Sequence, residues 1–351
     1  MSYIRCGPPK RRLRPRDGVL VAIDADQIII SGDSHFVEPP DLFATRLPTR
    51  LRARAPQTFK GTLPDGRSGE FFVCEDVRPA YIGGVAGAGR TREEANRLGY
   101  DGAPKSVWDP AERLKEQDLD GISAEVLYPS WGMFLFSVDD DDLRRECFNV
   151  FNEWAGEYCR HAPHRMKGLG VCDLGDIGLA VQQLDRIAEL GLCGAAITSA
   201  PEDLAPYSLD LYNPVWAKAE ELGLPLHVHI LTGRKGKGGF LPSTGERDAM
   251  PLVTYVTTVV GELQASLGHL IAGGAFDRYP GLKFVMAETD VGWIPHFRYR
   301  LDHFMGQAPG RQLGLQKTVA EYFDQNIYAT AQFEKENLRF AAETIGSDHF
   351  M

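Results

Sequence analysis

From Trp108 onward, short apolar runs alternate with amphipathic stretches. The runs predict strands at 124–128, 166–171, 194–198, 226–230, 283–287 and 327–329, with a first strand at 28–31 ahead of them. Between them the apolar positions recur at helical spacing: Leu143, Cys147, Val150, Trp154 and Tyr158 form one stripe, and Ile177, Val181, Leu184 and Ala188 another. Asp109-Pro110 and Asn213-Pro214 read as a capping side chain before a proline at the first helical position, and Gly121 and Gly223 as helix ends. Strands joined by helices of this length imply right-handed crossovers and a parallel sheet, either doubly wound or closed into an eightfold barrel. No G-x-G-x-x-G or G-x-x-x-x-G-K-[ST] follows the first strands, so a dinucleotide or P-loop fold lacks its main support. Gly83-Gly84 and Gly87-Ala88-Gly89 follow no strongly apolar strand and read as a flexible surface excursion.

Residues 42–108 break the alternation and are rich in Arg, Pro and Gly. They read as a long insertion after the first strand, lying over the mouth of a barrel that spans 26–351, with arginines available to grip a substrate carboxylate. Residues 1–25 read as a flexible basic tail, with Arg5, Lys10, Arg11, Arg12, Arg14 and Arg16 standing among prolines.

Composition narrows the function classes. A chain of 351 residues with 43% hydrophobic content can bury a large core, and a net charge of -10 argues against nucleic acid as a partner. No stretch reaches the roughly 20 apolar residues that cross a bilayer, and the start lacks a secretion signal's apolar core, so the expected location is cytoplasmic without a membrane partner. Six scattered cysteines with no C-x-x-C pair read as reduced thiols.

The candidate chemistry lies at strand ends. Asp33 and His35 are two residues apart, so in a strand they project the same way and can hold one cation. His229 closes the strand after Pro225 and is the candidate third metal ligand, leaving His227 as deeper packing. Glu288 ends another apolar run; it reads either as a strand-end ion pair or as a catalytic group facing the metal or its water. Asp290 reads as a turn residue. Trp293 and His296 are the candidate pocket lining, with His269 and His303 on the surface. Carboxylate and imidazole together suit zinc first and also accept manganese or iron; such an ion polarises water or a substrate carbonyl or carboxylate.

The segments G-D-S-H-F-V-E-P-P-D-L, W-D-P-A-E-R-L-K-E-Q-D-L-D-G-I-S-A-E-V-L-Y-P-S, H-V-H and H-L-I-A-G-G-A-F-D-R-Y-P-G-L-K-F-V-M-A-E-T-D-V-G-W-I-P resemble the amidohydrolase-related family. The resemblance is to the branch that includes aminocarboxymuconate-semialdehyde decarboxylase, and it runs from about Ile30 to the last residue. It implies a metal-dependent TIM (β/α)8 barrel that hydrolyses or nonoxidatively decarboxylates a small, cyclic, carboxylated substrate. Asp33 and His35 match the first-strand metal pair and His229 the fifth-strand metal histidine. Glu288 stands where the decarboxylases carry a catalytic histidine. A carboxyl delivers a proton to carbon less readily than an imidazole at neutral pH, so both reactions stay open. Family members continue into a last strand of the type W-G-S-D-Y-P-H, whose Asp Asp348 does not match. The eighth strand and closing helix are therefore expected to be incomplete, leaving an open seven-strand sheet with exposed edges, weakened stability and weak turnover. The alternative reading is a C-terminally truncated, catalytically silent relative that binds metal or a protein partner. Pairing into a homodimer is compatible with either.

Overall fold

The computed structural model describes residues 28–75, 77–199, 205–233, 249–332 and 334–351; the basic tail and Cys6 lie outside them. The inner strands are β1 (Ile30–His35), β5 (Ala124–Tyr128), β6 (Met166–Gly168), β7 (Gly170–Val171), β8 (Ala195–Ile197), β9 (Leu226–His229), β10 (Phe284–Ala287) and β11 (Ile327–Ala329). Every pairing among them is parallel, in the order β1-β5-β6 and β7-β8-β9-β10-β11. The two sheets join at Leu169, because β6 and β7 are one bent run whose first half pairs with β5 and whose second half pairs with β8. These strands are short and buried on both faces, as parallel strands covered by helices must be.

The open edge expected beyond β11 is occupied. Phe350 pairs in parallel with Ala329, and Met351 exchanges backbone hydrogen bonds with Ala329 and Ala331. Met351 also presses on β1 at Gly32, where there is no room for a Cβ. The last residues therefore stand in the eighth strand position, between β11 and β1.

β1 itself corrects the sequence reading. Ile28 and Ile30 are exposed, and the ladder lies later, pairing Ser31 with Glu125 and His35 with Tyr128. Three steps of β1 match two of β5 between Ser31 and Ser34, so an extra residue is accommodated around Gly32-Asp33. This irregularity brings the Ser31 and Ser34 hydroxyls within 2.8 Å of each other on the outer side.

The longer helices are α1 (Pro110–Asp120), α2 (Asp141–Cys159), α3 (Ile177–Glu189), α4 (Asn213–Leu222), α5 (Ala249–Ala272), α6 (Ile294–Met305), α7 (Val319–Asn326) and α8 (Lys335–Ile345). Asp109 caps α1 by accepting from the N–H groups of Ala111 and Glu112, and Gly121 and Gly223 end α1 and α4 in the left-handed conformation. Asn213 does not cap. A 3-10 turn at Asp210–Tyr212 runs straight into α4, and the Asn213 amide bonds Asp210 instead. The α2 stripe is buried throughout. In α3 the buried line is Ala180, Gln183, Leu184 and Ile187, while Ile177, Val181 and Ala188 are half-buried, because this helix packs on α4 as well as on the sheet.

Residues 42–108 fold into an antiparallel sheet, β2 (Gln57–Thr62), β3 (Ser68–Cys74) and β4 (Val77–Tyr81), with short helices at Ile82–Ala86 and Arg92–Leu98. The glycine-rich run is no loose excursion: Gly83 is buried where the first of these helices meets the backbone of Ala95 in the second. The unit docks beside the ends of β1 and β5. Phe72 stacks on Trp131, and the Tyr100 hydroxyl donates to the Glu38 carbonyl while accepting from the Trp131 indole.

Candidate metal centre

Three separated strand ends build the site. Beyond its irregular step, β1 points Asp33 and His35 inward and Ser34 outward. The outward hydroxyl donates to Glu125 of β5, whose carboxylate also receives Arg113 and Gln117 of α1. Arg113 donates further to the His35 carbonyl, so the W-D-P helix is tied to the ligand strand from behind. Burial opposes ionisation of Glu125, but the Arg113 guanidinium outweighs it and holds the carboxyl below the usual range.

On the inner face, Asp33 Oδ1 lies 3.5 Å from His35 Nε2 and 3.6 Å from His229 Nε2. One ligand atom from each of the three falls within 4.8 Å of the others. Each ligand is aimed by a second bond. His35 Nδ1 is 3.0 Å from the Pro129 carbonyl and His229 Nδ1 is 2.7 Å from the Ile230 carbonyl. A carbonyl only accepts, so in the neutral rings the proton sits on Nδ1 and the Nε2 lone pairs face inward. The Thr330 hydroxyl donates to Asp33 Oδ2 at 2.9 Å, leaving Oδ1 for the centre.

Asp33 Oδ1 and His229 Nε2 are buried without a hydrogen-bond partner among the described residues. Leaving such atoms unmet costs about 1–3 kcal/mol each, and a divalent cation between them would satisfy both. The residues fit the ion. Burial disfavours charge on Asp33, but the His229 and His35 imidazoles outweigh it and hold the carboxyl far below its usual range. His229 is likewise opposed by burial and raised by the Asp33 carboxylate.

His227 sits deeper in the same strand, where burial pushes its pKa down to about 3 and its Nδ1 meets the Tyr128 hydroxyl at 2.7 Å. The Tyr128 ring in turn lies 5.1 Å from the His229 ring and 5.9 Å from that of His35. Tyr128 thus meets His227 through its hydroxyl and packs its ring near both candidate ligand histidines.

Glu288 follows β10 with φ 53°, and Asp290 repeats that left-handed value. Non-glycine residues hold such angles at a cost of order 1–3 kcal/mol, and they cluster at functional sites. Five bonds hold the turn: Glu288 N–H to the Thr330 hydroxyl, Gln332 N–H to the Asp290 carboxylate, the Trp293 indole to the Asp290 carbonyl, and Val291 and Gly292 N–H to Glu334. The kink brings Glu288 Oε2 to 3.5 Å from His229 Nε2, while Oε1 accepts from Gln332. Trp293 and exposed His296 line a cavity of about 540 Å³ between α5 and α6, and among the described residues its wall includes none of the three ligands or Glu288.

Three of the insertion arginines are engaged elsewhere. Arg46 pairs with Glu157, Arg50 with Asp142 and Glu146, and Arg54 with Asp140, clamping the insertion to α2 and the residue before it, while Arg54 also pairs with Glu75 within the insertion. Sequence reasoning missed Thr330 and Tyr128. Thr330 lies in an unmarked A-T-A run, whereas Tyr128 closed a strand already read and its inward position could have been counted.

The sequence profile of the amidohydrolase family matches residues 109–351, more than half of the chain. The chain belongs to the amidohydrolase family. Among curated relatives of this amidohydrolase, the γ-resorcylate decarboxylase of Polaromonas sp. (strain JS666) is 25% identical over 252 residues, 68% of this chain and 74% of the relative. Among solved structures, an amidohydrolase of Mycobacterium avium subsp. paratuberculosis K-10 superposes with a TM-score of 0.72 at 21% identity, covering 93% of this chain and 88% of that one. The 5-carboxyvanillate decarboxylase of Novosphingobium aromaticivorans DSM 12444, complexed with manganese and 4-hydroxy-3-methoxy-5-nitrobenzoic acid, gives 0.64 at 19% identity over 93% and 86%. The fold is thus the TIM-barrel type of α/β architecture.

Proposed function

We propose that this amidohydrolase is a divalent-metal-dependent carboxy-lyase that removes CO2 nonoxidatively from a small carboxylated aromatic ring. The observation that carries the reading is the convergence of Asp33, His35 and His229 on one point, with Asp33 Oδ1 and His229 Nε2 buried and unmet among the described residues. The decarboxylase relatives support this chemistry over hydrolysis. Manganese, carried by the Novosphingobium structure, is proposed ahead of zinc.

The bound cation would supply charge to orient and polarise the substrate's carboxylate and neighbouring oxygen. Asp33, His35 and His229 would hold it. Glu288, turned inward by its backbone kink, delivers a proton to the ring carbon that bears the carboxylate. The C–C bond to the carboxylate then breaks, its electron pair returns to the ring, and CO2 leaves. The insertion at 42–108 is proposed to roof the mouth beside β1 and β5. Cys147, Cys159, Cys172 and Cys193 form no disulfide among the described residues, which suits a reducing compartment such as the cytoplasm. No helix among the described residues is long and apolar enough to cross a membrane. A homodimer remains compatible with the reading.

The test pairs metal analysis with turnover. Metal content of Asp33→Ala, His35→Ala and His229→Ala is expected to fall, and Glu288→Gln is expected to keep its metal and lose CO2 release from a panel of hydroxybenzoates. Unaltered metal stoichiometry in all three alanine variants would sink the centre. Hydrolysis of lactones or amides without CO2 release would sink the carboxy-lyase assignment.

A further inference from the structure

We propose that Thr330 is a positioning residue that couples the metal ligand Asp33 to the catalytic Glu288 through one hydroxyl, an inference that rests on the metal reading above. Thr330 follows β11, is buried, and its N–H continues the sheet by donating to the Met286 carbonyl. Its backbone is therefore anchored to β10, the strand that leads into Glu288. Its Oγ1 donates to Asp33 Oδ2 at 2.9 Å and accepts from the Glu288 N–H at 2.6 Å.

Each bond removes one freedom that the centre cannot tolerate. A carboxylate on two rotatable bonds can present either oxygen; engaging Oδ2 commits Oδ1 to the centre, where it stands within 3.6 Å of both imidazole nitrogens. The N–H of a residue at φ 53° has left the regular ladder and needs an acceptor, and the hydroxyl provides it. A hydroxyl has one proton to give and lone pairs to receive, so the same atom serves both with its donor committed to Asp33. Valine has the same shape and can do neither. Three strands, β1, β10 and β11, are thereby joined at one oxygen.

The experiment measures Mn²⁺ affinity by competition with a chromophoric chelator, using the whole chain, together with the unfolding midpoint of the metal-free protein. Partners that orient metal ligands typically contribute about 10–100-fold to affinity, so Thr330→Val is expected to weaken Mn²⁺ binding by that factor, and Thr330→Ser to restore it close to the wild type. With Mn²⁺ saturating, Thr330→Val is expected to retain a lowered kcat, because the Glu288 turn has still lost its acceptor. Wild-type affinity in Thr330→Val, alongside lost affinity in Asp33→Ala, would overturn this inference and leave the metal centre standing. Wild-type affinity in Asp33→Ala would instead remove the centre and the inference with it. Failure of serine to restore binding would assign the effect to the methyl group's packing, which also overturns the proposal. Should the valine variant not fold, Thr330→Ala carries the same expectation.

Discussion

Asp33 and Glu125 are both largely buried carboxylates on neighbouring strands of one sheet, and they are completed in opposite ways. Glu125 takes two bonds from Arg113, one from Gln117 and one from Ser34, so both of its oxygens are met. Asp33 has one oxygen met by Thr330 and the other, beside two imidazoles, without a hydrogen-bond partner among the described residues. Burial acts against ionisation at both, and at both the neighbours outweigh it: the Arg113 guanidinium at Glu125 and the two imidazoles at Asp33. The difference is what remains unsatisfied. A scaffold is made by closing every hydrogen bond, a binding site by closing all but those the ligand will take.

The largest effect should come from breaking the closed network. Arg113→Ala leaves Glu125 buried without its partner, a defect that typically costs about 3–5 kcal/mol, yet it should leave the rise in melting temperature on adding Mn²⁺ intact. Loss of that rise would mean that the two sides of β1 are not separable. The next effect sits at the open centre. At a free Mn²⁺ concentration of about 100 times Kd, linkage gives ~2.7 kcal/mol of added stability, which Asp33→Ala should abolish. A full metal-induced shift in that variant would erase the contrast.

Acid sharpens the comparison further. The folded pKa of Glu125 lies below the ordinary 4.5, so its contribution is whole above that value and is lost as pH falls through the folded one. Glu125→Gln should therefore flatten the acid limb of a denaturant-midpoint profile. The smallest effect belongs to the rim, where Arg54 bridges Glu75 and Asp140 in contact with solvent. Arg54→Ala should leave the unfolding midpoint unmoved, since exposed ion pairs are screened and hold long side chains at an entropic cost.

Much of this was legible in advance, for local reasons. The strands at Ala124–Tyr128 and Ile327–Ala329 are those the apolar runs predict, and the Asp109 cap and the left-handed Gly121 and Gly223 follow from residue type. The first strand lies later than its sequence predicts because three isoleucines outweigh Ser-Gly-Asp-Ser-His on any propensity scale, whereas pairing with β5 selects the polar half. Gly83 reads as loose in the sequence, which does not show what a missing Cβ makes room for, but it is packed against Ala95.

What the chain determines by itself is periodicity and chemistry: which segments bury a face, where they stop, and that Asp33, His35, His229 and Glu288 close apolar runs. What only the tertiary structure decides is adjacency across long loops. Thr330 is 297 residues from Asp33 along the chain and 2.9 Å from it in space. Met351 meets Gly32, and Arg113 reaches behind the ligand strand to Glu125. Local spacing encodes contacts three or four residues apart, while contacts between distant strands depend on how the whole sheet is ordered and staggered, and no single segment carries that information.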